Sequence, residues 1–277
     1  MDMTQEANPS DLSLPAPKAS AFLERYALLA FLVVMIGFAA LVSPTFLHPA
    51  NLLNVLTIAA PLGMVVLGQT FALLVRGLDL SVASLMATVA VLATAFRANS
   101  NEMIPLIFVA AILFSALVGL INGWLIAKRG VSPFLATLAT MIILQGARFA
   151  YTGGAPISTL PPGMRTLATG RFLGLPINLW TLAAMALALG ALLHKSRFGR
   201  EIYMVGGNPK AAKLVGLSPD RVVISCYVIC SICAGIGGSG VAAISARNAG
   251  TNRIESAALL SLAANLSASS WRAESTA

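Results

Sequence analysis

The sequence predicts an all-α protein, a polytopic bundle of about seven transmembrane helices. Three observations carry that expectation. Of the 277 residues, 57% are hydrophobic and only 10% charged, with a mean hydropathy of +0.84; soluble domains hold roughly 45–50% apolar and 25% charged residues. Apolar runs near the ~20 residues needed to cross a hydrocarbon core recur along the whole chain. Basic residues, finally, gather in alternate loops between those runs. Backbone polar groups find no water in lipid, so each crossing has to be helical.

Taken in order, a polar leader, residues 1–26, is rich in Pro, Ser and Asp and is followed by a first run from Ala27 to Phe46. Arg25 ahead of an apolar run suits a secretory signal. The leader, however, is long and carries acids as well as bases, and "ALVSPTF" is a poor cleavage site, so the run reads as a retained span. The second run, Leu52 to Val75, is expected to be interrupted at Pro61 and Gly63. Val82 to Phe96 is the third, Ile104 to Ala127 the fourth and Phe134 to Tyr151 the fifth. Leu179 to Leu193 and Val222 to Ala246 are the sixth and seventh. The third and sixth are short, so tilt, partial re-entry or added flanking residues are expected of them. Gly119 with Gly123, Ala234 with Gly238 and Gly235 with Ser239 repeat a small-xxx-small spacing that lets helices approach closely.

With the amino terminus in the cytoplasm, the inner loops hold Lys18, Arg25, Arg76, Lys128, Arg129 and the six basic residues of Lys195–Arg221. The outer loops hold only Arg97, Arg165 and Arg171. Basic residues favour the cytoplasmic side, so this orientation is the expected one. The same distribution accounts for the net charge of +8. It leaves no continuous basic face for a nucleic acid, and no nucleic-acid partner is expected.

Nothing in the sequence points to catalysis, a cofactor or a metal. His48 and His194, the only histidines, fall at opposite membrane faces. The patterns H-E-x-x-H, G-x-S-x-G and G-x-x-x-x-G-K-[ST] are absent. Energy would therefore come from a partner or an ion gradient. Cys226, Cys230 and Cys233 sit at helical spacing inside one apolar run and read as packing residues. In "RGLDLSVAS", Gly77 breaks one helix and Asp79 or Ser81 caps the next. Ionisable residues between spans are also functional candidates, so Gly77, Asp79 and Ser81, with Asn122, are candidates for lining or gating a path. Arg148 reads as a side chain snorkelling to the interface. A lone Asp and a lone Arg make a poor proton relay, which counts against a secondary carrier.

The most patterned polar stretch is "KSRFGREIYMVGGNPKAAKLVGLSPDR", Lys195 to Arg221. Gly206 and Gly207 are expected to break the chain, and Asn208 to cap a short helix with Pro209 at its first position. That helix runs to Val215 and stops at Gly216. A capped helix lying along the membrane is a suitable docking element for a soluble partner, with Ala211, Ala212 and Leu214 as its apolar contacts.

This stretch, with an R-F-G-R segment ahead of G-G-N-x-x-A-A, resembles the coupling segment in permease subunits of bacterial ABC importers of the ribose/xylose/arabinose type. "RGLDLSVASLMA", "NGWLIAKRGVSPFLATLATMIILQGARFAYTGGAPI" and "NLLNVLTIAAPLGMVVLGQTFALL" resemble further segments of that family, in the family's order. The resemblance spans roughly residues 25 to 250. It implies an inner-membrane permease domain over 27–246, with a coupling loop at 194–221 that grips a cytoplasmic ATPase through Gly206, Gly207, Asn208, Pro209, Ala211, Ala212, Leu214 and Gly216. It also implies a periplasmic sugar-binding protein and a second permease subunit as partners. Ala83 stands where the family usually has Gly. Beyond "ARNAGT" the family pattern is replaced by an atypical tail, 247–277, whose apolar stretch Ala257 to Ala264 is too short to span. The family's C-terminal spans are thus expected to be missing, with a non-functional fragment as the alternative. A permease for another small polar solute, such as a branched-chain amino acid, is a further alternative.

Single cysteines placed in the 195–221 loop are expected to resist a membrane-impermeant label applied from the periplasm, and cysteines in the 152–178 loop to react with it. The opposite pattern would reverse the orientation.

Overall fold

The computed structural model of the chain describes residues 19–96, 100–154 and 160–245. The leader up to residue 18, Arg97, the 155–159 part of the outer loop and the tail from 246 lie outside the described residues. In order come α1 (Ala19–Val42), α2 (Pro49–Leu74), α3 (Ser81–Ala95), α4 (Ile104–Arg129), α5 (Pro133–Thr152) and α6 (Pro162–Thr169). A two-stranded ribbon follows, β1 (Arg171–Phe172) paired with β2 (Leu175–Pro176), then α7 (Ile177–Lys195), α8 (Arg197–Gly207) and α9 (Pro209–Leu214). The last described helix, α10, runs Pro219–Ser245.

Among the described residues, five helices are long and apolar enough to cross a membrane: α2, α4, α5, α7 and α10. Tyr26–Val42 of α1 and Ser81–Thr94 of α3 are shorter apolar helices. These match the seven apolar runs one for one, so the helical bundle read from the sequence is the fold. The sixth run gains flanking residues to become the 19-residue α7.

The chain divides into two units, Met1–Leu52 and Leu53–Ala277. In the first, α1 exposes apolar side chains such as Leu28, Phe31 and Val33, the pattern of a helix solvated by lipid. Its end turns through Ser43–His48, where Asn51 Nδ2 donates to the Phe46 carbonyl at 2.9 Å.

In the second unit α10 is the central element. Of its apolar window 61% is buried, against at most 28% for the other long spans. Small residues let the neighbouring backbones reach it. A Cβ on Gly119 of α4 would lie 2.6 Å from the Tyr227 carbonyl, and one on Gly123 would lie 2.8 Å from Ile224 Cα. On α2, a Cβ at Gly68 would sit 2.6 Å from Cys233 Cβ. On α10 itself, a Cβ at Gly238 would reach 2.5 Å from the Met86 carbonyl of α3. Cys226, Cys230 and Cys233 are free and buried in these contacts, as packing residues. Helix α3 packs against both α4 and α5, and α7 leads through α8 to α9.

One expectation is corrected here. Helix α2 runs unbroken through Pro61 and Gly63. Pro61 removes one backbone hydrogen bond, yet its ring is buried against α10, where Gly240 leaves room for it (a Cβ there would be 3.2 Å from Pro61 Cγ). Neighbouring helices make such a proline tolerable in a span. The ribbon β1–β2 was not legible in the run pattern. Leu173 and Gly174, its two turn residues, both have positive φ, as a two-residue hairpin of the primed kind requires.

Within the second unit the described loops sort to two ends. At one, Lys128 Nζ pairs with Asp220 Oδ2 at 2.7 Å, and Arg76 reaches the carbonyls of Gly206 and Gly207. At the other, Gly163 N donates to Asn101 Oδ1 at 2.7 Å. These are the two groups into which the basic residues divide the loops.

Gly119→Ala is expected to destabilise the bundle by about 1–3 kcal/mol through overpacking against α10. Gly190→Ala, where an added Cβ meets nothing within 4 Å, is expected to leave it unchanged or slightly more stable. Thermal unfolding in one detergent ranks the two.

Candidate functional site

Two features converge on one end of the second unit: the break between α2 and α3, and the α8–α9 corner. At the break, α2 closes with Arg76 N donating to the Leu73 carbonyl (2.9 Å) and Gly77 N to the Ala72 carbonyl (2.8 Å). The left-handed residue of this closure is Arg76, at φ 60°, where glycine is usual. Glycine stands one place later because a Cβ on Gly77 would collide with the Tyr227 hydroxyl. The left-handed conformation costs a non-glycine residue about 1–2 kcal/mol. Two hydrogen bonds offset it: Arg76 Nε donates to the Gly206 carbonyl at 2.5 Å and its Nη2 to the Gly207 carbonyl.

Asp79 follows, 2% exposed. Its Oδ1 accepts from Ser81 N at 2.9 Å and from Ser81 Oγ at 2.6 Å. Leu80 occupies the position just before α3 and gives no side-chain cap, so of the two capping candidates Asp79 serves, from one residue further out. The Gln69 amide, with its nitrogen toward the Asp79 carbonyl, donates to it at 3.2 Å and accepts from Asp79 N at 3.0 Å. Ser81 Oγ accepts from Asn122 Nδ2 at 3.1 Å, and Thr140 Oγ1 donates to Asn122 Oδ1 at 2.6 Å. A continuous polar knot thus ties α2, the linker, α3, α4 and α5. Burial pushes the Asp79 carboxyl above its ordinary range, and the Ser81 bonds pull it part of the way back. Five buried side-chain atoms among the described residues have no partner, and two of them, Asp79 Oδ2 and Tyr227 Oη, lie at this break. Unsatisfied buried groups of this kind are uncommon and costly.

The α8–α9 corner departs from expectation at its first half. Gly206 and Gly207 do not break the chain; α8 is an 11-residue helix running through both. Gly206 serves close approach, since a Cβ there would collide with the Leu74 carbonyl of α2. Ser196 caps α8 by accepting from Gly199 N at 2.9 Å, and Ile202 and Val205 turn inward. The second half is as read. Asn208 Oδ1 accepts from Lys210 N (3.0 Å) and Ala211 N (3.1 Å), Pro209 opens α9, and Gly216 closes it at φ +84° with Leu217 N donating to the Ala212 carbonyl at 3.1 Å.

The eight residues expected on this segment divide by exposure. Ala211 and Leu214 face outward, Leu214 at 89%. Ala212 is corrected: it is 3% exposed and packs inside the chain with Phe71, Ile202, Val205, Val222 and Cys226. A side chain buried there has no surface for a partner. Val215, 70% exposed, joins Leu214, while Lys210 and Lys213 stand exposed beside them.

Gly77, Asp79, Ser81 and Asn122 are brought together. Arg76, Gln69, Thr140 and Tyr227 complete the arrangement and were missed. Lone polar side chains within apolar runs are the available signal for Gln69 and Thr140; Arg76 reads in the sequence only as a loop charge. Among the described residues no cluster of His, Cys, Asp or Glu could hold a metal ion.

Comparison with known proteins supplies a relationship for this geometry. The family described as "Branched-chain amino acid transport system / permease component" matches residues 51–262. The ribose import permease protein RbsC of Bacillus subtilis is 35% identical over 210 residues, covering 75% of this chain and 65% of the relative. Its Escherichia coli K12 counterpart is 34% identical over 212 residues, with the same coverage. The galactose/methyl galactoside import permease protein MglC of Haemophilus influenzae is 33% identical over 245 residues, 82% of this chain and 73% of the relative. Against the ribose permeases, then, the chain spans a little less than two thirds of their length. No solved structure matches the chain.

Ala212→Asp is expected to cost several kcal/mol, because it places an unpaired charge in an apolar cluster. Leu214→Asp, on an exposed side chain, is expected to stay within about 0.5 kcal/mol of the parent. Melting in detergent, with no partner present, separates them; equal losses would contradict the placement of α9.

Proposed function

The chain belongs to the branched-chain amino acid transport system / permease component family, and we propose that it is the membrane-spanning subunit of an ATP-driven importer of a monosaccharide. The observation that carries this reading is the α8–α9 corner: exposed Leu214 and Val215 on a basic rim, anchored through Arg76 to the Asp79 knot. On this reading an ATPase docks on α9 in the cytoplasm and a solute-binding protein delivers sugar to the opposite face. A second permease subunit completes the path through a bacterial inner membrane. The chain moves solute and leaves ATP hydrolysis to its partner. Relatives named for ribose and galactose, at 33–35% identity, favour a monosaccharide over a branched-chain amino acid.

The geometry suits the task. A partner pushing on Leu214 acts on a helix whose two ends are pinned, by Asn208 and by the turn at Gly216. Its displacement passes to α8 and thence to Arg76. Gly77, Asp79, Ser81 and Asn122 then form the gate-side element, where a shift of the linker would move α3 relative to α4 and α5.

Reconstitution with a cognate ATPase and solute-binding protein, followed by ATP-dependent uptake of ribose and galactose, tests the function. Leu214→Asp is expected to lower recovery of the ATPase with the solubilised chain by roughly tenfold or more, the loss of a buried apolar anchor, without altering melting of the chain alone. Undiminished recovery would remove α9 as the docking site.

A further inference from the structure

At the end of the second unit opposite α8 and α9, a cavity of about 460 Å³ opens among the last turns of α3, α5 and α10. It lies near Ser245, and α10 begins beside α9 at Pro219, so some 40 Å of helix separate the two places. The volume falls in the ordinary range for small-molecule sites, roughly 300–1,000 Å³. Arg148, Phe149 and Thr152 of α5 line it, with Thr94 of α3 and Ser245 of α10. The sequence alone placed Arg148 at the lipid interface; the structure gives it this cavity to face.

Arg148 forms no hydrogen bond or ion pair among the described residues. The sequence has no carboxylate between Glu102 and Glu201, and the acid on α10, Asp220, lies at its other end. The hydroxyls beside Arg148 are set in complementary ways. Thr94 Oγ1 donates its proton to the Val91 carbonyl at 2.6 Å, leaving lone pairs for a ligand. Thr152 Oγ1 accepts from Gly154 N at 3.1 Å, leaving its proton for a ligand. An anion needs donors alone, whereas a hydroxyl both donates and accepts. A site offering a guanidinium fork, an acceptor and a donor therefore suits a polyhydroxylated molecule, and the ring of Phe149 offers an apolar surface for the C–H face of a sugar.

We propose that this cavity is a monosaccharide vestibule: Arg148 donates to neighbouring sugar hydroxyls, Thr94 accepts from one and Thr152 donates to another. The proposal rests on the importer reading above and adds the contact residues. The rival occupant is a lipid. Arg148 also borders an apolar recess of about 250 Å³ lined by Val91, Leu92, Phe114 and Tyr151, where a lipid chain could lie with its phosphate on the guanidinium.

Ser245→Cys, in a full chain carrying Cys226→Ala, Cys230→Ala and Cys233→Ala, reports the cavity through its rate of reaction with a water-soluble thiol reagent. D-ribose or D-galactose is expected to slow labelling, and glycerol 3-phosphate to leave it unchanged. Arg148→Gln is expected to raise the sugar concentration for half-protection by about tenfold or more, the loss of a charged hydrogen-bond donor. Arg148→Lys, which keeps charge but loses the fork, should fall between. An unprotected labelling rate equal to the parent's shows that the cavity is intact; if Arg148→Gln disturbs it, Thr94→Val carries the same test. Absence of protection by either sugar, protection indifferent to Arg148 and Thr94, or protection by glycerol 3-phosphate alone would overturn the proposal. ATPase recovery is measured separately. Failed protection with the ATPase bound sinks the vestibule and spares the importer; sugar protection without ATPase binding does the reverse.

Discussion

Backbone-level contact between α10 and its neighbours is the constraint on which the second unit depends. Lipid is as apolar as leucine, so no hydrophobic force drives these helices together, and close packing with hydrogen bonding must do it. Gly119 and Gly123 on α4 and Gly68 on α2 bring main chain to main chain at Tyr227, Ile224 and Cys230–Cys233. That proximity lets Tyr227 project its hydroxyl against Gly77, which in turn obliges the α2 closure to use Arg76 as its left-handed residue. The position of the guanidinium on α8 is thus a consequence of how tightly α10 is held.

Arg76 gives that packing a functional direction. It joins the C-terminal carbonyls of α8, the negative end of a helix, to a linker whose next polar residue is the buried Asp79. Lying between two places is not coupling; an element with two arrangements is needed. The knot offers the ground for one. Asp79 Oδ2 and Tyr227 Oη are both buried without partners, and a shift of the linker or of α10 is one way for them to gain partners. A second arrangement would recover hydrogen bonding at the same spot where the α8–α9 corner attaches.

Much of this was legible in the sequence, for stated reasons. Span positions follow from apolar runs because lipid enforces helices, and α9 follows from Asn208-Pro209 and Gly216 because caps are local chemistry. What failed was long-range. Pro61 and Gly63 resemble breaks until α10 and α7 are seen to pack on them. Gly206 resembles a breaker until Leu74 arrives beside it. Ala212 resembles a surface alanine, since a six-residue helix carries too little pattern to show which face is inward. The Asp79 cluster was half read: Gly77, Asp79, Ser81 and Asn122 were found, but Gln69 and Thr140 join only through tertiary contact.

Helix α3 is where the two ends of the proposed transporter meet. Ser81, at its first position, is held by Asp79 and Asn122; Thr94, near its last, lines the Arg148 cavity. Fifteen residues long, it spans only about 22 Å and has few side chains with which to absorb a displacement by bending. Met86 and Val89 lie against Gly238 of α10, and the helix also packs on α4 and α5. A movement of Ser81 relative to Asn122 would, on the proposed function, reach Thr94 as a shift of the whole rod, opening or closing the cavity against Arg148 on α5. On the proposed function this assigns opposite duties to the two sides of one short helix: its first turn senses the ATPase through Arg76 and Asp79, and its last turn sets the grip on sugar. A longer, more compliant helix in that position would separate those duties, and the shortness of the third span is the physical reason they are joined.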